Sequence, residues 1–427
     1  MLPSERLYYS DSFLKEFQGE VSSVREFTRD DGESVWQVSL DRTVFYPTSG
    51  GQPFDTGMLR ASSPDGVVFE IPVEQVEEGD DGSLWHFVRR PLAAGTHVDG
   101  QVSWERRFDH MQQHTGQHLL SAVFLRELQA ATVSFHLGEN TSTIDLACGP
   151  LASPDLERVE RIANDIIGED RQVTARFVSR AEAEGLLASG HLRKLPERDG
   201  SIRLIEIAEC DLNACGGTHV RSTGQIGGLQ VRRVEKVRQG TRVEFVCGLR
   251  AVRIARSDAA ILGEIGTLLS SGTPDLPAMV GRLLTEAKAS AKERQNLREE
   301  LAGFQAATLA LESPTDNGLR LVVRAWKDRN RDYVKLLASR TAAAAPSTAV
   351  IFSAQETNPV RVFVARSANL PFDCGRILRE ALAILGLRGG GSADLAQGEV
   401  PAEQETALRD LVTEAIHKAM AEAKSPN

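Results

Sequence analysis

The chain has 427 residues, of which 41% are hydrophobic and 25% are charged, and its formal net charge is −10. This composition can form globular cores in about three domains, and it excludes a largely disordered chain. The acidic balance argues against indiscriminate binding to polyanions, although a local basic patch can still bind phosphate. With no apolar run near ~18 residues, no secretory leader and five scattered cysteines, we expect a cytoplasmic protein without a membrane segment.

Residues 1–104 are predicted to form a small β-barrel or sandwich. Short β-branched and aromatic runs alternate with Asp, Gly, Ser and Pro at close spacing, which is typical of strands joined by tight turns. The prolines and glycines of 44-VFYPTSGGQPFDTG-57 predict a fixed, turn-rich loop among these strands. From spacing alone, an ordinary hairpin loop is the simpler interpretation of that segment.

Residues 105–250 are predicted to be an α+β domain. A helix over 104–128 places apolar and small side chains on one side at three- and four-residue spacing: Phe108, Met111, Thr115, Leu119 and Ala122. A second helix is predicted over 154–170 with Ser153 as its N-cap. Strand-like runs follow it at QVTARFVS, SIRLIEIA and LQVRRVEKV.

The remaining residues are predicted to form a helical connector and a third domain. Residues 251–312 are rich in Ala, Leu, Glu, Lys and Arg and nearly free of helix breakers, which favours a long exposed helix or a short coiled coil. Residues 313–427 alternate strand and helix patterns and are predicted to be an α/β domain. The segment 388-RGGGSADLAQGEV-400 is predicted to be a glycine-rich loop before the last helix. The fold class is therefore multidomain α+β.

Three histidines are spaced four residues apart on the helix predicted over 104–128. His110, His114 and His118 lie on nearly one face, about 6 Å between neighbours. Two imidazoles at i and i+4 can share one metal ion, whereas one ion cannot easily reach all three. Spacing alone does not choose between the pairs 110/114 and 114/118, and a helical histidine is commonly an ordinary packed residue.

A second group of metal-binding residue types lies in 215-CGGTHV-220. Cys215 and His219 supply a thiolate and an imidazole, which zinc prefers, and the two glycines between them let the side chains converge. Together with the histidine pair they supply four possible metal ligands within one predicted domain. Cys210 is a possible substitute ligand, although a buried structural cysteine is the simpler interpretation.

These motifs resemble those of one family. His114-Thr-Gly-Gln-His118 and Cys215-Gly-Gly-Thr-His219 are similar to the two metal-binding elements of alanyl-tRNA synthetase editing domains and of the free-standing AlaX trans-editing proteins. VFYPTSGGQPFDTG resembles the glycine-rich loop of the preceding β domain, and GGGSADLAQG the signature of the C-terminal DHHA1-type domain. Four motifs occur in the order of the family, and together they cover all but the helical connector.

The resemblance implies a set of site residues and a reaction. It selects His114, His118, Cys215 and His219 as the ligands of one zinc ion per chain and leaves His110 outside the set. It implies hydrolysis of serine, and in addition glycine, from mischarged tRNA(Ala), without an aminoacylation domain. Thr115 is the candidate for recognising the serine hydroxyl, and a core-facing threonine is the alternative interpretation.

A basic segment, 231-VRRVEKVRQGTRVEFVCGLR-250, is the candidate tRNA contact. It has five Arg and one Lys against two Glu, a local charge of +4, although a solvated strand face explains that pattern equally. The candidate tRNA-binding residues are Arg232, Arg233, Lys236, Arg238, Gly50 and Gly51. The C-terminal half is expected to hold the body of the tRNA or to form a homodimer.

Two other function classes are consistent with the sequence. A metal-dependent phosphohydrolase of nucleotides or short oligonucleotides would share the DHHA1-type domain, but the nearest approach to an Asp-His-His cluster is Asp109-His110. A non-catalytic tRNA-binding module would hold a structural zinc, and four protein ligands favour that interpretation.

Overall fold

The computed structural model describes residues 4–29, 32–62, 67–196, 200–238 and 240–423. The chain divides into two compact units, unit 1 (Met1–Glu264) and unit 2 (Ile265–Asn427). Within the described ranges, no helix combines the length and the apolar character needed to cross a bilayer.

The N-terminal part of unit 1 is a seven-stranded antiparallel sheet. Its strand order is β6-β5-β9-β2-β3-β8-β7, and β1 and β4 form a separate short parallel pair. Alternate residues of the strands point into one apolar core. The elements in chain order are β1 (Glu5–Arg6), α1 (Leu7–Ser10), β2 (Glu16–Thr28), β3 (Ser34–Leu40), β4 (Arg42–Thr43), β5 (Gly57–Ser62), β6 (Val68–Val73), β7 (Gln75–Glu78), β8 (Leu84–Val88) and β9 (His97–Val102).

The predicted barrel is wrong, because the sheet is not closed. Strands β6 and β7 occupy its two edges, and no ladder joins them among the residues that the structure describes. Glu74 alone separates these two edge strands in the chain. The prediction of β structure for this region is confirmed.

The second part of unit 1 combines helices with two further sheets. One sheet has the order β10-β11-β16-β15 and the other β12-β13-β14, and all their pairings are antiparallel. The elements are α2 (Trp104–Leu128), β10 (Thr132–Leu137), β11 (Ser142–Leu146), α3 (Ser153–Gly168), β12 (Val173–Val178), α4 (Arg180–Ala188), β13 (Ile202–Ile207), β14 (Asp211–Ala214), β15 (Leu229–Val237) and β16 (Gly240–Cys247). Helix α5 (Gly248–Leu268) follows and includes the boundary between the two units.

Helix α2 has the predicted bounds but not the predicted burial. Every residue from His110 to Phe124 is buried, so α2 is enclosed on all sides over four turns instead of on one face. Its polar side chains therefore need partners inside the protein. The second predicted helix is also present as α3, although Ala152 is its N-cap and Ser153 is already helical.

Unit 2 is a mixed five-stranded sheet with helices. The strand order is β17-β18-β19-β21-β20, in which β17 and β18 are parallel and the other pairs antiparallel. Its long helix packs Ala302, Ala306 and Ala310 inward near its C-terminal end. The elements are α6 (Leu276–Glu312), β17 (Arg320–Trp326), α7 (Arg331–Ala344), β18 (Thr348–Ala354), β19 (Val360–Arg366), α8 (Cys374–Ile384), β20 (Gly389–Gly391), β21 (Leu395–Val400) and α9 (Glu405–Glu422).

The glycine-rich segment of unit 2 is a strand where the sequence predicts a loop. Residues 389–391 form β20 and pair with β21 as an antiparallel hairpin. A side chain on Gly389 or on Gly398 would clash with Leu382 of α8. The glycines therefore let this helix lie directly on the hairpin.

Candidate metal centre

Helix α2 presents His114 and His118 to the same point, one helical turn apart. Their ring centroids are 5.2 Å apart, and both side chains are buried. A residue four positions along a helix lies on the same face, so the observed pair follows directly from the spacing.

The loop after β14 brings Cys215 and His219 to this helix face. Cys215 Sγ lies 3.5 Å from His114 Nε2 and 3.4 Å from His219 Nε2. A side chain at Gly217 would clash with the His114 ring, so the backbone can pass this close only without a Cβ. Arg203 of β13 fixes the loop by donating hydrogen bonds of 2.9 Å to the carbonyl oxygens of Cys215 and Gly217.

The four side chains form one candidate metal-binding cluster. The ligand atoms of His114, His118, Cys215 and His219 all lie within 4.8 Å of one another. Three imidazoles and one thiolate are the donor types that zinc takes in tetrahedral sites, at about 2.0–2.3 Å each. The donor set therefore fits a zinc ion.

Each histidine of the cluster is oriented through its Nδ1 atom by a different residue. His114 Nδ1 donates a 2.8 Å hydrogen bond to Gln52 Oε1, His118 Nδ1 lies 3.4 Å from Asp211 Oδ2, and His219 Nδ1 lies 3.1 Å from Thr115 Oγ1. These contacts direct all three Nε2 atoms to the shared centre. Such outer partners fix the tautomer and the ring orientation of metal-binding histidines.

Gln52 is itself held in one orientation. Its Oε1 accepts a 3.1 Å hydrogen bond from the Thr218 amide, and its Nε2 donates to Thr218 Oγ1 at 2.9 Å. Because Oε1 faces His114, the proton of that ring belongs on Nδ1. The glycine-rich loop between β4 and β5 therefore supplies a residue of the metal centre.

The charges of the cluster favour its metal-binding forms. Burial opposes ionisation of the Cys215 thiol, but the neighbouring His114, together with hydrogen bonds from His114 and His118, holds its pKa well below the ordinary cysteine value. Burial and the charge of His114 lower the pKa of His219 to about 3. Burial alone would lower the pKa of His118, but hydrogen bonds to Asp211 and Cys215 raise it to about 9. A bound cation would displace the second proton of His118, so affinity should increase with pH.

A cavity of about 400 Å³ opens onto the cluster. Three of the four ligand residues, His114, His118 and Cys215, line it, and its size is within the range of small-molecule sites. Polar side chains make up much of the wall beside α2. Gln117 Nε2 donates to Ser121 Oγ at 2.9 Å, and Thr132 Oγ1 donates to the same oxygen at 2.8 Å.

Three residues considered from the sequence lie outside the cluster. His110 is buried one turn before His114, and burial together with nearby arginine charges lowers its pKa to about 3. Cys210 is half-buried, and burial raises the pKa of its thiol. Asp109 pairs with Arg250 instead of joining a metal cluster. Among the described residues, the candidate cluster contains none of these three.

The predicted tRNA-binding residues are divided between two places. Arg232 and Arg233 line a separate cleft beside α3; Arg232 pairs with Asp258 at 2.6 Å and Arg233 with Glu235 at 3.4 Å. Lys236 and Arg238 are exposed at the end of β15. Gly50 lines the metal cavity, whereas Gly51 lies against Phe135, where a Cβ would approach the ring to 2.7 Å.

Several residues of the centre were not predicted from the sequence: Gln52, Thr132, Arg193, Lys194, Arg203 and Asp211. Asp211 had a usable signal, since it is a carboxylate four residues before Cys215, and such groups commonly support metal-binding histidines. Arg193 pairs with Asp211, and exposed Lys194 lies at the rim of the cavity. Gln52 lies in the turn-rich segment 44–57, but only the fold places it beside His114.

Replacing Asp211 with asparagine is expected to weaken metal binding by about 10- to 100-fold. The variant keeps the shape of the side chain but removes the charge that stabilises the His118 Nδ1 proton. Competition with a chelating dye measures the affinity, and Asp99→Asn on β9, an exposed carboxylate, is the control. Equal affinities of the two variants would contradict the supporting role of Asp211.

Comparison with known proteins identifies the domains of the chain. The family model of tRNA synthetases class II (A) matches residues 4–106, that of the threonyl and alanyl tRNA synthetase second additional domain matches residues 202–243, and that of the DHHA1 domain matches residues 318–418. The chain is thus built from domains of the tRNA synthetase type together with a DHHA1 domain.

Full-length relatives make the assignment more specific. The alanyl-tRNA editing protein AlaX-L of Pyrococcus horikoshii is 30% identical over 415 residues, which cover 94% of this chain and 96% of AlaX-L. The alanine–tRNA ligases of Pyrococcus furiosus and Methanoculleus marisnigri are each 32% identical over 93% and 97% of this chain. The chain spans only 42% and 44% of those two ligases. It belongs to the AlaX-L family of alanyl-tRNA editing proteins, which confirms the resemblance seen in its motifs.

Proposed function

We propose that the chain is an aminoacyl-tRNA deacylase that removes serine, and as a second substrate glycine, from tRNA(Ala). The observation that carries the proposal is the cluster of His114, His118, Cys215 and His219 on the wall of a cavity large enough for an aminoacyl ester. Membership of the AlaX-L family supports alanyl-tRNA as the substrate class.

One zinc ion per chain would be held by these four residues and would supply Lewis-acid chemistry at the ester carbonyl. Gln52, Asp211 and Thr115 hold the three imidazole rings, so the geometry is set before the substrate arrives. Arg203 holds the loop that carries the thiolate.

The polar wall of the cavity supports selection of serine over alanine. Hydrogen bonds join Gln117 and Thr132 to Ser121. The half-buried hydroxyl group of Thr132 thereby lies in the same cavity as the metal ligands. A serine hydroxyl can form a hydrogen bond there, whereas alanine would leave the polar group without a partner.

Contacts with the tRNA itself are part of the same proposal. The exposed Lys194 at the rim, and Arg232, Arg233, Lys236 and Arg238 on and after β15, are the cations proposed to contact phosphates. The homodimer through the C-terminal half and the cytoplasmic location stay predictions from the sequence.

The alternative of a non-catalytic module rests on the four protein donors, which resemble a closed structural site. Access for a substrate argues against it, because three donors line an open cavity. Hydrolysis separates the two functions. We expect Ser-tRNA(Ala) to be deacylated at least about 100-fold faster than Ala-tRNA(Ala), with Gly-tRNA(Ala) as the third substrate. Retained zinc without hydrolysis of any of the three would overturn the proposal.

A pair of threonine variants tests the hydroxyl recognition. Thr132→Val is expected to slow hydrolysis of Ser-tRNA(Ala) by about tenfold and to leave Gly-tRNA(Ala) unchanged, because glycine has no hydroxyl to bind. Thr115 is fully buried, and its hydroxyl accepts from the Val220 amide and faces His219. We therefore expect Thr115→Val to slow both substrates alike. A loss confined to the serine substrate in Thr115→Val would instead support Thr115 as the recognising residue.

A further inference from the structure

A second cleft adjoins the metal cavity on the other side of the ligand loop. It has a volume of about 150 Å³ and is lined by Tyr9, Phe177, Ile202, Arg203 and the segment 214–216. The same segment, Ala214-Cys215-Gly216, also lines the metal cavity. One strip of backbone therefore separates the two spaces, and a ligand lying across it would reach both.

The walls of this cleft are aromatic and differ in their packing. Tyr9 is fixed, because its ring packs edge-on against Tyr8 with centroids 4.9 Å apart and its hydroxyl accepts a 3.1 Å hydrogen bond from Arg6. Phe177 of β12 is 52% exposed and meets Tyr9 only edge-on, with centroids 6.4 Å apart. Its ring thus keeps a face open for stacking.

The charge beside the rings also suits a nucleotide. The Arg203 guanidinium carbon lies 5.5 Å from the centre of the Tyr9 ring, so a cation is built into the base of the cleft. Burial lowers the pKa of Arg203, opposed by the neighbouring Cys215 and tyrosine groups. Flat rings beside an arginine are the surroundings in which proteins bind unpaired bases.

We propose that this cleft binds the 3′-terminal nucleobase of the aminoacyl-tRNA by stacking on Phe177. The inference rests on the proposed deacylase function, since in that substrate the ester and the terminal base are carried by the same ribose. With the ester on the metal side of the segment 214–216, the base is one ribose away, on the side of Phe177. Stacking explains why an aromatic side chain is exposed beside the metal-ligand loop.

The test compares two substrates that differ only in the terminal base. Ser-tRNA(Ala) is prepared with its ordinary 3′-terminal adenosine and with an abasic terminal ribose, and kcat/KM is measured for the whole chain with zinc bound. For the wild type we expect kcat/KM to be about 5- to 140-fold lower with the abasic substrate than with the ordinary one. Phe177→Ala should lose a similar factor on the ordinary substrate and then no longer distinguish the two substrates.

Two further variants guard against an indirect effect. Phe177→Trp keeps an aromatic stacking surface, so it should still distinguish the ordinary substrate from the abasic one. Phe27→Ala is the matched control. Phe27 is 39% exposed and packs edge-on against Phe87 with centroids 5.5 Å apart. It lies on β2 of the N-terminal sheet and does not line the cleft. Metal content confirms that each variant keeps its centre intact.

The possible failures are distinguishable. If the wild type hydrolyses neither substrate, the proposed deacylase function fails. If it hydrolyses both equally well, or if the losses from Phe177→Ala and from the abasic terminus multiply, the base does not bind at Phe177 and this inference alone is overturned.

Discussion

Replacing Cys215 and His219 together with alanine is expected to remove the metal and to reduce hydrolysis of Ser-tRNA(Ala) by about 100-fold or more. The change deletes two of four donors whose ligand atoms lie within 4.8 Å of one another. His114 and His118 alone leave an ion with two protein ligands, too few for a retained zinc site. Metal analysis of the purified variant and single-turnover deacylation give the two measurements.

His110→Ala is the matched control for this double variant. It removes a buried imidazole from the same helix, one turn before His114, but not from the cluster. We expect one zinc per chain and nearly unchanged chemistry. Zinc retained in full by the double variant, or lost from His110→Ala, would show that the ligand set is assigned wrongly.

Replacing Arg107 with methionine is expected to lower the free energy of unfolding by about 3–5 kcal/mol. Arg107 lies in the first turns of α2, and its ion pair with Asp55 is fully buried. Its guanidinium also donates to the carbonyl oxygens of Ser12, at 2.9 Å, and Val44. Methionine fills most of the volume but leaves the Asp55 carboxylate charged and buried without its cation, which is the costly outcome.

Urea unfolding of unit 1, followed by tryptophan fluorescence, measures this loss. The control is Arg60→Met, which breaks the exposed pair of Arg60 and Glu70 on the N-terminal sheet, 2.9 Å apart, and should cost no more than about 1 kcal/mol. Arg107→Met combined with Asp55→Asn should recover part of the stability, because the second change removes the stranded charge. Equal unfolding midpoints for Arg107→Met and Arg60→Met would contradict the structural role of the buried pair.

Local patterns predicted the elements that carry the ligands. The unbroken run from Trp104 to Leu128 gave α2 its bounds, and the four-residue spacing placed His114 and His118 on one face. The alternation of strand and helix patterns over 313–427 likewise predicted that strands and helices alternate in this part of unit 2. These features depend on neighbours in the chain, so a single sequence contains them.

Such patterns could not predict contacts between residues that are distant in the sequence. The histidine spacing fits either register, and what distinguishes His118 from His110 physically is that Asp211 and Cys215 face only the former. Gln52 lies 62 residues before His114, and nothing in its surroundings indicates an imidazole partner. Closure of the N-terminal sheet depends on which strands end at its edges, and strand composition does not encode that pairing.

Glycine runs were misleading for a different reason. Three successive glycines have low strand propensity, so the sequence predicts a loop for the segment 389–391. In the fold, the need for α8 to approach the hairpin outweighs that propensity, because any larger residue at Gly389 or Gly398 would strike Leu382. A packing constraint between elements here overrides a local preference.

The spread of the ligands along the chain also has a consequence during synthesis. His114 and His219 are 105 positions apart (219 − 114), so the histidine pair of α2 leaves the ribosome long before its partners exist. At about 5–20 residues per second, the interval is roughly 5–20 s. Throughout it the nascent chain exposes a two-histidine half-site that can bind a metal ion only weakly. A metal ion would therefore be bound firmly only after the loop at Cys215 has been made and has reached α2. Loading of the candidate metal centre would then be a late event in the synthesis of unit 1.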